Sequence, residues 1–174
     1  MEDRHQDLPS RLSRPVLPAI AAGLLLCLAC AASARPGPYD ASANAKAEIA
    51  AALAESRQSG VPTLLLFGAN WCPDCVALDK TLHRGDLATE IARRFRIVKV
   101  DIGDFDRNMD IAGAYGDPTR QGIPAAVALS AEGSPVYATR AGELSNARRM
   151  GDDAIRAFFD RLAERFAATP VTTP

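Results

Sequence analysis

The apolar run at residues 61–69, Val-Pro-Thr-Leu-Leu-Leu-Phe-Gly-Ala, places the strongest constraint on the fold. The run is too short for a typical helix and is bounded by proline and glycine, so it is predicted to be a buried central strand. Strands that are apolar along their whole length occur mostly in sheets with both faces covered. The run therefore predicts an α/β domain in which helices pack on both faces of a sheet.

Patterns on either side of this run predict the remaining elements. Helices are expected at residues 44–58, at 72–82 with a restart at 86–95, at 106–116 and at 152–166. Further strands are expected at residues 96–102, 122–130 and 135–142. The order of these elements predicts an α/β fold, a three-layer αβα sandwich with a central mixed β-sheet.

Composition limits the class of protein. The chain has 174 residues, of which 48% are hydrophobic and 24% are charged, which is typical of one globular domain with an additional segment. The formal net charge is −1 and the pI is about 6.1, and no block of Lys and Arg residues is long enough to form a basic face. We therefore expect no binding to nucleic acid, and we expect a monomer.

The additional segment lies at the N-terminus and has the layout of a secretory signal peptide. Residues 15–34 carry no charge, and their apolar run follows two arginines and ends in Ala-Ser-Ala. The run is short for a membrane span, so we expect cleavage after Ala34 in preference to an uncleaved anchor or a buried helix. Cys-Leu-Ala-Cys at residues 27–30 offers an alternative, because it partly resembles a lipoprotein box that would leave a lipid anchor at Cys30.

The predicted domains follow from this interpretation of the N-terminus. Residues 1–34 form the signal peptide, residues 35–43 an extended tether rich in proline, and residues 44–174 the folded domain. Either form of the N-terminus places that domain in the periplasm or elsewhere in the bacterial cell envelope, where disulfides persist. Cleavage then leaves Cys72 and Cys75 as the cysteines of the mature chain.

Cys72 and Cys75 belong to the motif Trp-Cys-Pro-Asp-Cys, directly after the predicted central strand. Cys72 is expected to cap the next helix, with Pro73 at the first helical position, where proline is best tolerated. The helix dipole and the free N–H groups there stabilise a thiolate, which makes Cys72 the attacking sulfur. Cys75, one turn inside the helix, is the thiol that resolves a mixed disulfide. The motif therefore predicts a redox-active pair.

Phe-Gly-Ala-Asn-Trp-Cys-Pro-Asp-Cys, followed downstream by Gly-Ile-Pro, resembles the thioredoxin superfamily. The resemblance spans essentially the whole mature domain and implies a thioredoxin-like fold with a cis Ile123–Pro124 bond beside the sulfurs. It also implies protein disulfides or dithiols as substrates, a membrane or envelope protein as redox partner, and no cofactor. The substrate-binding residues that it implies are Trp71, Pro73, Asp74, Ile123 and Pro124.

Departures from the thioredoxin pattern bear on the mechanism. Leu66 stands where thioredoxins usually carry a buried Asp, so the usual proton acceptor for the resolving thiol is missing. Asp79, one turn after Cys75, is a candidate catalytic substitute, as acceptor or as pKa tuner; a solvated carboxylate paired with a nearby charge is the alternative. The negative charge of Asp74 opposes a thiolate and favours a reductase or an isomerase-like couple. The loop before Pro124 is also longer than usual.

The predicted function is an exported thiol–disulfide oxidoreductase, with the reductase direction favoured. The alternative from a different class is a thioredoxin-fold module that handles Cu(I) or binds a partner without redox turnover. Met109 and Met150 would then add thioether ligands, but no spacing places them near the cysteines. Zinc requires four ligands, and with His83 the cysteines supply three, so no resident metal is expected. A purely stabilising disulfide is disfavoured, because so small a loop constrains the unfolded chain little.

Overall fold

Residues 37–167 are the part of the chain that this computed structural model describes, so the predicted signal peptide and the lipidation alternative at Cys30 lie outside it. The helices are α1 Ala45–Ser59, α2 Pro73–Leu82, α3 Gly85–Arg94, α4 Met109–Ala114 and α5 Asp152–Ala167. The strands are β1 Thr63–Gly68, β2 Arg96–Asp101, β3 Ala125–Leu129 and β4 Pro135–Ala138. Two 3₁₀ helices, Pro118–Gln121 and Ala147–Arg149, precede β3 and α5. None of the helices within residues 37–167 has the length and apolar character needed to span a bilayer.

Within the described residues, the four strands form one mixed sheet in the order β2-β1-β3-β4. β1 pairs in parallel with β2, from Thr63 opposite Arg96 to Gly68 opposite Asp101. β3 runs antiparallel to both β1 and β4. The predicted α/β fold with a central mixed sheet is confirmed, and β1 is an inner strand, as its apolar run predicts.

Alternate side chains of β1 point to opposite faces of the sheet, and helices cover both faces. Leu65 and Phe67 pack on the face covered by α1 and α4, while Leu64 and Leu66 pack on the face covered by α2, α3 and α5. All four side chains are buried. The result is a three-layer sandwich in which the C-terminal end of β1 leads directly into the cysteine motif.

Local capping signals set the limits of the two helices that flank β1. Asn44 caps α1 by accepting a hydrogen bond from the Ala47 N–H at 3.1 Å, and Gly60 ends the helix in the left-handed conformation with φ +73°. Cys72 caps α2 through its sulfur, which accepts a hydrogen bond from the Cys75 N–H. The start of α2 and the reactive motif therefore coincide.

The segment before α1 differs from the predicted extended tether at residues 35–43. In its described part the backbone bends and turns, and Tyr39 is buried in the core with 3% of its surface exposed. Asn70 fixes the segment through two hydrogen bonds, from the Tyr39 N–H to its Oδ1 at 2.9 Å and from its Nδ2 to the Tyr39 carbonyl at 2.6 Å. The prolines do keep the segment out of a helix, but burial of the aromatic ring makes it part of the domain.

Candidate active site

Cys72 and Cys75 lie at the N-terminus of α2, where the chain has just left β1. Both are free thiols, and both are buried. The Cys75 N–H donates a hydrogen bond to Cys72 Sγ at 3.2 Å, so the first sulfur occupies the capping position of the helix. This N–H and the helix dipole both favour negative charge on the first sulfur. The arrangement suits a first cysteine that attacks and a second that follows it.

The loop before β3 brings Ile123 and Pro124 against the first sulfur. The peptide bond between these two residues is cis. Cys72 Sγ donates a hydrogen bond to the Ile123 carbonyl oxygen at 3.5 Å. The lengthened loop ahead of them contains the 3₁₀ helix Pro118–Gln121 and ends at Gly122, whose φ is +108°. Backbone atoms of this loop therefore form one wall of the site.

Cys75 has an unusual electrostatic environment. Burial raises the pKa of the Cys75 thiol far above its ordinary value, and a hydrogen bond with Cys72 adds to the shift. A hydrogen bond with the Ala69 backbone opposes the shift, while the negative charge of Asp74 reinforces it. Cys75 therefore stays protonated at neutral pH, and its proton would have to leave before the sulfur could act as a nucleophile.

Leu66 and Asp79 are the residues at which this site differs from the thioredoxin pattern, in which a buried carboxylate lies beside the second cysteine. Leu66 packs in the apolar cluster beneath α2, α3 and α5, whereas Cys75 belongs to the cluster on the opposite face. Asp79 forms an ion pair with Lys99 of β2, and its Oδ1 lies 3.3 Å from the ring Nδ1 of His83. The Asp79 carboxylate is thus held between two nitrogen groups, one turn beyond Cys75 along α2.

Asp74 lies between the two cysteines in sequence, yet its carboxylate contacts the loop before α5. Its Oδ1 accepts a hydrogen bond from the Arg148 N–H at 2.9 Å, and its Oδ2 lies 3.2 Å from Arg148 Nε. The contact covers most of the carboxylate and attaches the second 3₁₀ helix to α2. A guanidinium therefore compensates part of the charge that was expected to oppose a thiolate. Pro73, by contrast, is exposed beside the first cysteine.

An exposed aromatic pair borders the first cysteine. Trp71, immediately before Cys72, is 53% exposed, and its ring Nε1 donates a hydrogen bond to the Gly103 carbonyl at 2.8 Å. Phe105 is 45% exposed, and its ring centroid lies 6.1 Å from that of Trp71. Trp71 therefore lies on the surface of the site and not in the core, and the two rings together form an apolar patch.

Sequence patterns do not point to Phe105 or to Tyr39. Phe105 reaches the site because β2 is parallel to β1, so the loops after the two strands meet at the same edge of the sheet. The adjacency of β1 and β2 is therefore the feature that could have identified Phe105 as a site residue. Tyr39 lies between the helix of residues 45–59 and a stretch rich in proline, and a lone aromatic residue there gives only a weak indication of burial. The contact of Phe105 with Trp71 and that of Tyr39 with Asn70 both join residues that are far apart in the chain.

These features together define a class of protein. The mixed sheet, the cysteine pair that caps the helix after an inner strand, and the proline loop against the first sulfur are those of a thioredoxin-like thiol–disulfide oxidoreductase. Across residues 37–167, no group of three or more His, Cys, Asp and Glu side chains is arranged to hold a metal ion.

Comparison with known proteins gives the family. A family model described as thioredoxin-like matches residues 44–131, and the chain belongs to this family. The crystal structure of disulphide isomerase from Xylella fastidiosa Temecula1 is 47% identical with a TM-score of 0.73, and the match covers 74% of this chain and 98% of that one. DsbH oxidoreductase, 18% identical with a TM-score of 0.51 over 69% of this chain and 82% of that one, has a similar fold. Among curated proteins, no match is found.

Proposed function

We propose that this protein is an exported thiol–disulfide oxidoreductase that exchanges disulfides with proteins of the bacterial cell envelope through Cys72 and Cys75, with reduction as the favoured direction. One observation carries the proposal: Cys72 caps α2 while its sulfur lies 3.5 Å from the Ile123 carbonyl. A substrate chain that passes along Ile123 and Pro124 would meet this sulfur. The similarity to a protein named disulphide isomerase supports the same chemistry.

The reaction consists of two sulfur exchanges. The Cys72 thiolate attacks a substrate disulfide and bonds to one substrate sulfur, while the other sulfur leaves as a thiolate and takes up a proton. Cys75 then loses its proton and attacks Cys72 Sγ, which forms the Cys72–Cys75 disulfide and releases the second substrate sulfur. The substrate gains two electrons and two protons, and the pair is oxidised. A reduced membrane or envelope partner must return the pair to the dithiol.

The substrate-binding surface that we infer combines backbone and apolar groups. Ile123 and Pro124 present the backbone of their loop, beside which an extended segment of the substrate would lie. Trp71 and Pro73 are exposed next to the first sulfur, and Phe105 extends the apolar patch away from it. A polypeptide with an apolar side chain near its disulfide fits this surface.

The burial of Cys75 supports the reductase direction. Because burial raises the pKa of this thiol, the reduced pair gains little stability from its ionisation. Strong oxidants of this chemistry have a stabilised reduced form, so a pair in which Cys75 adds nothing to that stabilisation is more reducing than one in which both sulfurs contribute. The charge of Asp74 acts in the same direction, and Arg148 offsets part of it.

Asp79 acts in this proposal as a tuner of Cys75 and not as its proton acceptor. Its carboxylate is already engaged by Lys99 and lies close to His83. Asp79→Asn should therefore slow the resolution of a mixed disulfide by less than about tenfold, whereas loss of a general base costs roughly 10²-fold or more. Quenched-flow measurement of the decay of the mixed disulfide distinguishes the two roles.

Export rests on the pattern of residues 1–34. N-terminal sequencing of protein from the cell envelope should find Arg35 first. A protein that begins with a lipid-modified Cys30 would instead support the lipoprotein alternative, and an intact N-terminus in the cytoplasm would contradict export.

Insulin reduction by the purified protein tests the exchange chemistry. Cys72→Ser should abolish turnover, and Cys75→Ser should abolish it while a mixed disulfide accumulates on Cys72, visible by non-reducing electrophoresis. Equilibration with glutathione then gives the direction: a potential below roughly −200 mV supports a reductase, and one near about −120 mV would reverse the assignment. Cu(I) binding without turnover would favour the alternative function.

A further inference from the structure

The exchange chemistry leaves one requirement only partly met, which is stabilisation of the Cys75 sulfur once its proton has left. The Ala69 backbone offers this sulfur one hydrogen bond, yet burial still raises the pKa of the thiol far above its ordinary value. A buried sulfur that carries charge needs a nearby hydrogen-bond donor or cation. Leu66 offers neither, and the Asp79 carboxylate would repel the anion. Lys99 is already paired with Asp79. A further donor must therefore come from another part of the core around Cys75.

The Tyr39 phenol and the Cys75 sulfur both lie against Gly68. A Cβ built on Gly68 would lie 2.4 Å from the phenol oxygen and 2.9 Å from Cys75 Sγ, so both atoms pack against the same side of Gly68. Tyr39 and Cys75 also belong to the same buried cluster. Glycine at residue 68 is what allows the phenol and the sulfur to approach each other.

The position of Tyr39 is fixed by the active-site motif itself. Asn70, two residues before Cys72, holds the Tyr39 backbone through hydrogen bonds of 2.9 and 2.6 Å. A Cβ on Gly37 would lie 2.2 Å from Asn70 Oδ1, so the chain passes close to this side chain as well. Tyr39 lies outside residues 44–131, the range that the thioredoxin-like family model matches. Any contribution of Tyr39 to the site is thus made by a part of this chain that the family model does not match.

We propose that Tyr39 is a catalytic residue of the resolving step, whose phenol O–H donates a hydrogen bond to the Cys75 sulfur as that sulfur becomes anionic. The proposal rests on the exchange function proposed above. The phenol keeps its own proton throughout. The proton that Cys75 loses passes through solvent to the substrate sulfur that leaves, so no further acid or base is consumed.

The charges around the phenol make it a donor and not an acceptor. Burial is the main cause that raises the pKa of the Tyr39 hydroxyl well above its ordinary value. The negative charges of nearby groups raise it further, namely those of Cys75, Cys72, Asp79 and Asp101. The two carboxylates are paired, Asp79 with Lys99 and Asp101 with Arg107. Asp74 is the further charge that acts on Cys75. The phenol therefore remains protonated over the pH range in which the cysteines react.

The test compares Tyr39→Phe with Tyr137→Phe in the full chain. Tyr137 is a matched control, because its hydroxyl is bonded to Glu143 and its ring packs in the other apolar cluster. Tyr39→Phe should slow the decay of the Cys72 mixed disulfide by about tenfold. In the Cys72→Ser background it should also move alkylation of Cys75 to higher pH. Tyr137→Phe should change neither, and alkylation of Cys72 in the Cys75→Ser background should be unaffected by Tyr39→Phe.

Unchanged resolution and an unchanged alkylation profile in Tyr39→Phe would show that the ring only fills space and would overturn the proposal. If Tyr39→Phe proves unstable, a measurement on a protein that retains Tyr39 still decides the question. In Cys72→Ser, a tyrosine difference absorbance should grow as Cys75 ionises, and its absence would overturn the proposal equally. The alkylation profile does not depend on insulin turnover, so failure of the exchange function and failure of this assignment are distinguishable.

Discussion

Asp74 and Arg148 connect the active-site helix to the loop before α5 by two contacts. Asp74 Oδ1 accepts a hydrogen bond from the Arg148 N–H at 2.9 Å, and Asp74 Oδ2 lies 3.2 Å from Arg148 Nε. The carboxylate between the cysteines is therefore partly balanced by a cation that is 74 residues away in the chain. The balance between these two charges sets how much Asp74 disfavours an anionic sulfur.

Arg148→Ala should make the cysteine pair more reducing, by roughly 10–30 mV. Its loss leaves the charge of Asp74 less compensated, so a thiolate is less favoured and the reduced form is less stable. Asp74→Asn should shift the potential in the opposite direction. Arg149→Ala, at the exposed neighbouring arginine, is the matched control and should leave the potential within error. Glutathione equilibration measures all three, and shifts of the same sign for Arg148→Ala and Asp74→Asn would contradict the charge balance.

Gly68→Ala should destabilise the protein by about 1–3 kcal/mol. The added Cβ would lie 2.4 Å from the Tyr39 ring and 2.9 Å from Cys75 Sγ, and both groups are too deeply buried to move aside. Gly113→Ala is the control, because it sits inside α4 and nothing beyond its chain neighbours and the backbone of that helix lies within 4 Å of its Cβ. That variant should gain roughly 0.5–1 kcal/mol from helix propensity. Urea unfolding measures the free energy of unfolding of both variants. A Gly68→Ala variant as stable as the unsubstituted protein would refute the close packing at Gly68.

Phe105→Gly should raise stability while it weakens substrate binding. Phe105 has φ +63°, a left-handed conformation that costs a non-glycine residue about 1 kcal/mol or more. Its exposed ring adds to the patch formed with Trp71, so its removal should raise KM for an apolar peptide disulfide several-fold, with kcat nearly unchanged. Phe105→Ala removes the ring but keeps the strain, and it should raise KM without the gain in stability. A KM that stays constant in both variants would exclude the ring from the binding surface.

The reduced protein should lose stability faster than the oxidised protein as the pH rises. Cys75 has a raised pKa in the folded state, so the unfolded chain releases its proton first, from about pH 8.5, the ordinary value for a thiol. The stabilisation is complete below that pH and is lost above it, amounting to about 1–2 kcal/mol by about pH 10. The oxidised form has no proton on Cys75 to release, whereas the raised pKa values of Tyr39 and Tyr137 have burial as their first cause, and a disulfide does not remove that burial. Urea unfolding at pH 7 and about pH 10 compares the slopes, and parallel slopes would contradict the assignment.

The parts of the fold that follow from local patterns could be predicted from the sequence. The run at residues 61–69 indicates an inner strand because its side chains are apolar on both faces, and β1 occupies Thr63–Gly68. Cysteine followed by proline indicates the start of a helix, and α2 begins at Pro73. The family resemblance identifies the loop that carries Pro124. Each of these signals depends on neighbouring residues or on one recognisable motif.

The rest of the site depends on contacts that join distant parts of the chain. Tyr39 and Asn70 are 31 residues apart, and Asp74 and Arg148 are 74 apart. Neither pair has a periodic pattern that would reveal it. A single sequence shows that Asp74 carries a charge, but the direction in which its carboxylate points depends on tertiary packing. The same reason explains why Phe105 becomes evident only once β2 is known to lie beside β1.

The close approach of Gly37 to Asn70 has a practical consequence for anything fused upstream of the domain. A Cβ on Gly37 would lie 2.2 Å from Asn70 Oδ1, so the polypeptide enters the domain alongside the cysteine motif. A purification tag or fluorescent label attached just ahead of this glycine would therefore crowd the route by which a partner reaches the sulfurs. Such additions are better made elsewhere on the chain.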